Sequence, residues 1–378
     1  MSDHAKCMEP FEKTKHRQKP GKLTRIALFM MLSAVVVGIL LLLPNFGQLS
    51  KPLRYWAVRD DADFGTFLNL TDGIAAAAIL QDDLAAANGK ELAILSPDGT
   101  QKFSAEIRMS CPKLTSCGKV ALLWDVGGNQ LRLLTESECI ATTVTGALLY
   151  ADVSESGFCY TAILPDGQCQ LTARTLYGDP VFCRNFSAHA IGPCAISKDG
   201  TQLAVATMSG TDGSFCTQVL LLSAQGNAPP CKISLADTFV QALGFVGEDA
   251  LCVISDHAAA VFSTDGTQRG ECRRQEDMVQ SFAICERGVV LALQSGCLLS
   301  LAQDGSLRAQ TQLTEQILDV SANGSYIAVA TAAGVSVYDR DLTSCMEQET
   351  NSPKKIFVRR DGTVIVQTAE QMQLYFFR

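Results

Sequence analysis

A short apolar run, a turn that contains glycine and a second apolar run recur along most of the chain. ISKDGTQLAVAT at 196–207 and VSANGSYIAVAT at 320–331 show the pattern most clearly. The turn glycines lie 36 to 47 residues apart, at Gly73, Gly118, Gly157, Gly200, Gly247, Gly288, Gly324 and Gly362. A period of about 41 residues indicates a repeat architecture in which each repeat is one supersecondary unit.

Each unit continues into a third and a fourth run, as in GVVLALQSG, CLLSLAQDG and SLRAQTQL at 288–313. A second tight turn recurs at Asp98-Gly99, Asp265-Gly266 and Asp304-Gly305. An Asp-Gly pair between alternating runs is typical of a two-residue type I′ hairpin. The repeat is therefore predicted to be a four-stranded antiparallel meander.

Such meanders cannot bury both faces alone, and in a β-propeller they stack radially. We therefore predict an all-β fold, an eight-bladed β-propeller over residues 51–378, with seven blades as the alternative. The unit that begins near Lys354 has only three runs. We expect LRYWAVRD at 53–60, which precedes the first unit, to supply the fourth strand of the last blade.

Residues 74–95 are rich in Ala and Leu, and by intrinsic propensity they favour a helix. The phase of the repeat instead predicts two strands there. Packing between blades must then override propensity.

Residues 26–43 form an uncharged apolar stretch, long enough for a helix to cross the hydrocarbon core of a bilayer. Residues 1–25 carry seven Lys or Arg against three Asp or Glu. The positive-inside rule then places this basic tail in the cytoplasm and residues 51–378 outside. A cleaved signal peptide is the alternative, but the run is long for one and no A-x-A-like site follows. We expect a single-pass protein of the cell membrane with an extracytoplasmic domain.

Fourteen of the fifteen cysteines follow the apolar stretch, and no C-x-x-C pair occurs. Most lie inside apolar runs, so we expect mostly free, buried thiols. Cys111 and Cys117 are the first candidates for an oxidised pair. Cys252 and Cys272 are expected on strands separated by a third strand, too far apart for a disulfide.

Catalytic and metal-binding patterns are sparse. Only His189 and His257 follow the apolar stretch, without H-E-x-x-H, a P-loop or a G-x-S-x-G elbow. Neither a metal nor a cofactor is therefore expected. The carboxylates near Asp60 and Asp82 suit either a calcium site or turn chemistry, and we favour turns. A formal net charge of −8 argues against nucleic acid as a partner.

The basic tail, the single apolar span, the Tyr55-Trp56 strand and the repeats at 196–207 and 320–331 together resemble a family of membrane-anchored bacterial β-propeller proteins of unknown function. The resemblance covers residues 23–378 and implies a fold, not a site. The repeats are also similar to WD40 and quinoprotein propellers. Trp124 is the only Trp within the repeats, so the Trp residues that would dock a quinone are not evident.

Two functions from different classes fit these features. The first, which we favour, is a non-enzymatic scaffold that binds an envelope protein or polymer. The second is an envelope hydrolase acting on a glycan or lactone through carboxylates in the central channel. Polar residues expected on the first strands, where they would line the channel, are Asn69, Asp152, Glu286 and Asp319.

Overall fold

The computed structural model describes residues 73–375, apart from 98, 136–137, 187–189, 212–213, 227, 275, 351–352 and 369–371. In this part of the chain, 31 β-strands form eight antiparallel sheets. Seven sheets have four strands, and the strands of each sheet are paired in chain order. The predicted eight-bladed β-propeller is confirmed, and the alternative of seven blades is wrong.

The strands of blades 1 to 4 run from the channel outward within each blade. They are β1 Ala76–Leu80, β2 Asp83–Ala87, β3 Glu91–Leu95, β4 Gln101–Glu106, β5 Pro112–Cys117, β6 Val120–Asp125, β7 Gln130–Leu134, β8 Cys139–Thr143, β9 Ala147–Val153, β10 Gly157–Ile163, β11 Cys169–Thr175, β12 Pro180–Phe186, β13 Ala190–Ile196, β14 Gln202–Thr211, β15 Ser214–Ser223 and β16 Cys231–Ala236.

Blades 5 to 8 follow the same plan. Their strands are β17 Val240–Val246, β18 Ala250–Ser255, β19 Ala258–Ser263, β20 Gln268–Arg273, β21 Val279–Cys285, β22 Gly288–Leu293, β23 Cys297–Leu301, β24 Leu307–Gln312, β25 Ile317–Asn323, β26 Tyr326–Thr331, β27 Gly334–Tyr338, β28 Ser344–Glu349, β29 Lys355–Val358, β30 Val364–Gln367 and β31 Met372–Tyr375.

Blade 8 has three described strands, β29 to β31. Residues 53–60, which we expect to complete it, lie outside the described residues, as do the predicted tail at 1–25 and the predicted membrane span at 26–43. No helix in the described part of the chain is long and apolar enough to cross a bilayer.

The second strand of each blade forms the core because neighbouring blades cover both of its faces. Every residue of β6, β18 and β22 is buried, and these strands read as continuous apolar runs. The fourth strands alternate between exposed and half-buried residues, as in β4 and β24. This gradient explains why the outer runs are the most polar part of each repeat.

Eight apolar clusters hold the ring together, and each combines side chains from two neighbouring blades. The cluster between the last and first blades contains Leu84, Ala86, Ile365 and Met372. At the same seam, Gln367 Nε2 donates a hydrogen bond of 2.9 Å to the carbonyl oxygen of Ile74. Blade 8 therefore packs directly on blade 1.

Residues 74–95 form strands, as the repeat predicted, but the number of strands was wrong. Three strands lie there, not two, because the first hairpin turns at Gln81 and Asp82. Gln81 adopts the left-handed φ of 57° that Gly118 and Gly324 have in the inner turns of blades 2 and 7. Gly73 precedes β1, so our first unit began one strand too early.

The Asp-Gly turns also differ from the prediction. At Asp265-Gly266, Ser263 N donates to Thr267 O and Gly266 N donates to Ser263 O, each at 2.9 Å. Gly266 has a φ of 85°, while Asp265 does not have a positive φ. The loop thus has three residues and ends in a left-handed glycine, so it is not a type I′ turn.

All fourteen cysteines of the described region are free, including Cys111 and Cys117. Five are buried, six are half-buried and three are exposed, so the thiols are less buried than we expected. Cys252 on β18 and Cys272 on β20 are separated by β19, as predicted.

Candidate functional site

The inner strands of all eight blades line one central cavity with a volume of about 780 Å³. This central channel is bounded by the ends of the first strands and by the turns that lead into the second strands. A cavity of this size is within the range of small-molecule sites. The first strands therefore face the channel, as the repeat predicted.

Six charged side chains form a rim on the turns between first and second strands. They belong to six blades and comprise three anions and three cations: Asp82, Glu155, Glu286, Lys119, Lys198 and Arg360. The formal charges of these six residues sum to zero, and the same turns also carry Glu248, Asp249 and Arg287, which are not among the lining residues. Four of the six rim residues, in blades 3, 4, 6 and 8, stand two residues before the turn glycine of their unit.

Glu286 joins blades 4, 6 and 8 across the rim. Its Oε1 lies 3.2 Å from Lys198 Nζ, and its Oε2 lies 3.8 Å from Arg360 Nη2. The hydrogen bond and negative charge of Glu286, together with the charge of Glu155, raise the pKa of Lys198. These ion pairs are exposed, so water weakens them and each contributes little to stability.

Asp152 is the one charged side chain among the described channel-lining residues that lies on a strand. Its Oδ2 accepts a hydrogen bond of 3.1 Å from the backbone N–H of Ile196 in the next blade. Desolvation by the surrounding protein raises the pKa of this carboxyl to about 6. Hydrogen bonds from the backbone at Ile196 and Val153 oppose part of that effect.

Three half-buried phenylalanine rings line the same channel from blades 5, 6 and 8: Phe245, Phe282 and Phe357. Polar lining residues of blades 2 to 4 include Cys117, Asp152 and Lys198. The channel is therefore amphipathic, with aromatic rings from blades 5, 6 and 8 and with charged residues from blades that include 6 and 8.

Asp319 in blade 7 and Asp152 in blade 3 both begin an Asp-Val-Ser run five residues before their turn glycine. The strand registers differ, because Asp152 pairs with Cys159 and Asp319 with Ala330. Ser321 therefore takes the place of Asp152 and accepts from Val358 N–H.

Asp319 is not among the channel-lining residues. Its Oδ2 accepts from Ile356 N–H at 3.1 Å, and its Oδ1 accepts from the Ser281 hydroxyl at 3.0 Å. Asp319 therefore connects blades 6, 7 and 8.

Of the four residues predicted to line the channel together, the structure places Asp152 and Glu286 on one cavity. Asp319 packs between blades instead, and Asn69 lies outside the described residues. Sequence reasoning missed Lys198 and the phenylalanines. Aligning the units on their turn glycines would have found the rim, because four rim charges hold the same place.

Cys117 and Cys285 line the channel, but the surroundings of Cys117 do not favour its reactive thiolate form. Burial, followed by the negative charges of Asp152 and Glu155, raises the pKa of Cys117. Among the described residues, no group of three or more His, Cys, Asp or Glu side chains could hold a metal ion. His257 is not a channel residue, and its Nε2 lies 3.9 Å from Asp256 Oδ2. His189 lies outside the described residues.

Solved structures with the same fold have sequences of low identity to this chain. Sqt1 of Saccharomyces cerevisiae superimposes with a TM-score of 0.58 at 11% identity, over 82% of this chain and 97% of that one. The C-terminal WD40 domain of Sif2 superimposes with a TM-score of 0.58 at 12% identity, over 82% of this chain and 97% of that one. BamB of Moraxella catarrhalis superimposes with a TM-score of 0.52 at 14% identity, over 81% of this chain and 97% of that one. These similarities show the fold alone.

No curated protein matches the sequence. A family model does match, over residues 71–375, which contain all the described strands. The model is that of a family of unknown function, DUF5711. The chain belongs to the DUF5711 family of β-propeller proteins.

Proposed function

We propose that this protein is a membrane-anchored, extracytoplasmic scaffold whose channel binds a ligand or partner of the cell envelope. The central channel carries this proposal, because all eight blades contribute to one cavity of about 780 Å³ with a charged rim. Propellers host both binding proteins and enzymes, so the site rather than the fold supports the function. The apolar span at 26–43 and the basic tail support the anchor and its orientation.

Site-specific photocrosslinking in the cells that produce the protein tests this role. A benzophenone amino acid replaces Ser116, which lines the channel, or Gln101, which is exposed on the outer strand β4. We expect one dominant adduct from position 116 that is absent from position 101. Identical adducts from both positions, or none from the channel position, would contradict a channel that binds a partner.

One observation favours the second candidate, an envelope hydrolase. A carboxyl whose pKa is about 6 suits a general acid near neutral pH, and Asp152 lines the channel with Glu286. The test compares D152N/E286Q with D319N on chromogenic aryl glycosides and aryl lactones. Hydrolysis by the natural chain and by D319N, but not by the folded double variant, would replace the scaffold with an enzyme.

A further inference from the structure

Among the described residues that line the channel, Asp152 is the one charged group outside the rim. The formal charges of the six rim residues sum to zero. Asp152, on strand β9, adds one further carboxyl group to the channel lining. Within the described region, no ion pair joins Asp152 to Lys, Arg or His, and its carboxylate accepts hydrogen bonds from the backbone at Ile196 and Val153. The rim cation of the next blade, Lys198, is paired with Glu286.

Aromatic rings line the same cavity. Phe245 on β17, Phe282 on β21 and Phe357 on β29 are each half-buried. A cation near aromatic rings is attracted by their quadrupoles, by about 0.5 to 2 kcal/mol per contact. A carboxylate and aromatic rings around one cavity are the chemistry that recognises an organic ammonium ion. Neutral or anionic ligands would leave the charge of Asp152 unbalanced.

We propose that the channel binds a small organic ammonium ion, with its positive charge toward Asp152 and its apolar substituents against Phe245, Phe282 and Phe357. This inference rests on the proposed function of the channel and names the class of its ligand. The volume of about 780 Å³ leaves room for substituents larger than methyl groups. An anion would instead have to compete with Glu286 for Lys198 and Arg360.

The titration of Asp152 makes this binding depend on pH. The ionisable groups that interact with its charge are Cys117 on β5 and Cys159 on β10. Glu155 and Lys198 on the rim act on Cys117, and Cys194 hydrogen-bonds Cys159. Burial raises the pKa of both Cys117 and Cys159, so these thiols stay neutral near pH 7. Affinity for a cation should therefore fall as the pH drops through about 6, where Asp152 gains its proton.

Choline and 3,3-dimethylbutan-1-ol are matched probes, because they share a shape and differ in charge. Titration calorimetry uses the purified full chain in a non-ionic detergent. We expect choline to bind at least about tenfold more tightly than the alcohol at pH 7.5. D152N should abolish that difference, whereas D166N, which changes an exposed turn carboxylate, should leave it unchanged.

F282L tests the contribution of the channel-lining aromatic rings separately from that of Asp152. F239L is its control because Phe239 is an exposed ring that does not line the channel. F282L should weaken the binding of choline, and F239L should leave it unchanged. Three outcomes would each overturn the inference. They are equal binding of the two probes, equal choline binding by D152N and the natural chain, and no choline binding at about 10 mM, a concentration that corresponds to very weak affinity. Binding of benzoate that K198M removes would identify an anion site and also overturn it. A channel crosslink obtained without choline binding would leave the scaffold standing, so the two failures are distinguishable.

Discussion

Asp319 shows how a polar residue of an inner strand can stabilise the ring. Its carboxylate accepts from the Ile356 amide and the Ser281 hydroxyl, and these bonds link three consecutive blades. D319A would leave partly buried donors without an acceptor, so we expect the free energy of unfolding to fall by about 2 kcal/mol. D319N keeps an acceptor oxygen, so its free energy of unfolding should fall less than that of D319A. Urea denaturation followed by circular dichroism measures both, and D319A within about 0.5 kcal/mol of the natural chain would contradict this role.

Asp152 predicts a pH dependence of stability. Its pKa is raised to about 6, so the folded chain keeps a proton that the unfolded chain releases near pH 4. The contribution to stability is full below about pH 4 and is lost as the pH rises to about 7, by about 3 kcal/mol. D152N cannot titrate, so the natural chain should lose stability relative to D152N across this interval.

Unfolding free energies of both chains in urea, measured from pH 4 to pH 7, test this linkage. The other ionisable groups are common to the two chains, so their difference isolates Asp152. Parallel profiles would show that burial does not shift this carboxyl. A natural chain that gains stability over D152N as the pH rises would reverse the sign.

Individual site residues were only partly predictable from the sequence. Asp152 and Glu286 are polar within apolar runs, and that contrast marked them. Phe282 is one apolar residue among many in its run, and nothing local distinguishes a ring that faces the channel from one in the core. Asp319 matches Asp152 in sequence, but the strand registers of blades 3 and 7 differ, so Asp319 bonds to Ser281 of the preceding blade and does not line the channel.

At the scale of the strands, the first hairpin shows why one unit was misplaced. The other inner turns contain a glycine, and seven of the eight predicted turn glycines have a positive φ, whereas the first turn uses Gln81. A search for turn glycines therefore passed over it and selected Gly73. The Ala-rich strand β2 is fully buried between blades, so packing decides its conformation against its helix propensity.

The incomplete last blade predicts a role for residues 53–60. β31 pairs with β30, and no described strand pairs with its other edge. If residues 53–60 form the fourth strand, A57P should remove a ladder hydrogen bond and lower the melting temperature, because proline cannot donate. Q18P, in the basic tail, is the matched control.

Thermal unfolding and hydrogen exchange measure the effect of A57P. We expect faster exchange at the backbone amides of β31, Met372–Tyr375, than in Q18P. Equal melting temperatures and equal exchange in the two variants would mean that another segment, or none, completes the blade.

For the whole molecule, the fold was more predictable than the site. A repeat of constant period determines the blade, and radial stacking of eight such units leads to a ring. The channel combines residues that are up to about 280 positions apart, such as Asp82 and Arg360, and the sequence gives no direct measure of their proximity. The rim becomes visible only when the units are aligned on the correct turn.

Display of the propeller outside the membrane is the claim on which an envelope role depends, and three exposed thiols allow a direct measurement. Cys111, Cys183 and Cys345 are free and exposed in the structure. A membrane-impermeant maleimide applied to intact cells should label them as fully as it does after permeabilisation. The C111S/C183S/C345S variant should lose most of that label. Labelling that appears only after permeabilisation would place the propeller in the cytoplasm and contradict the proposal.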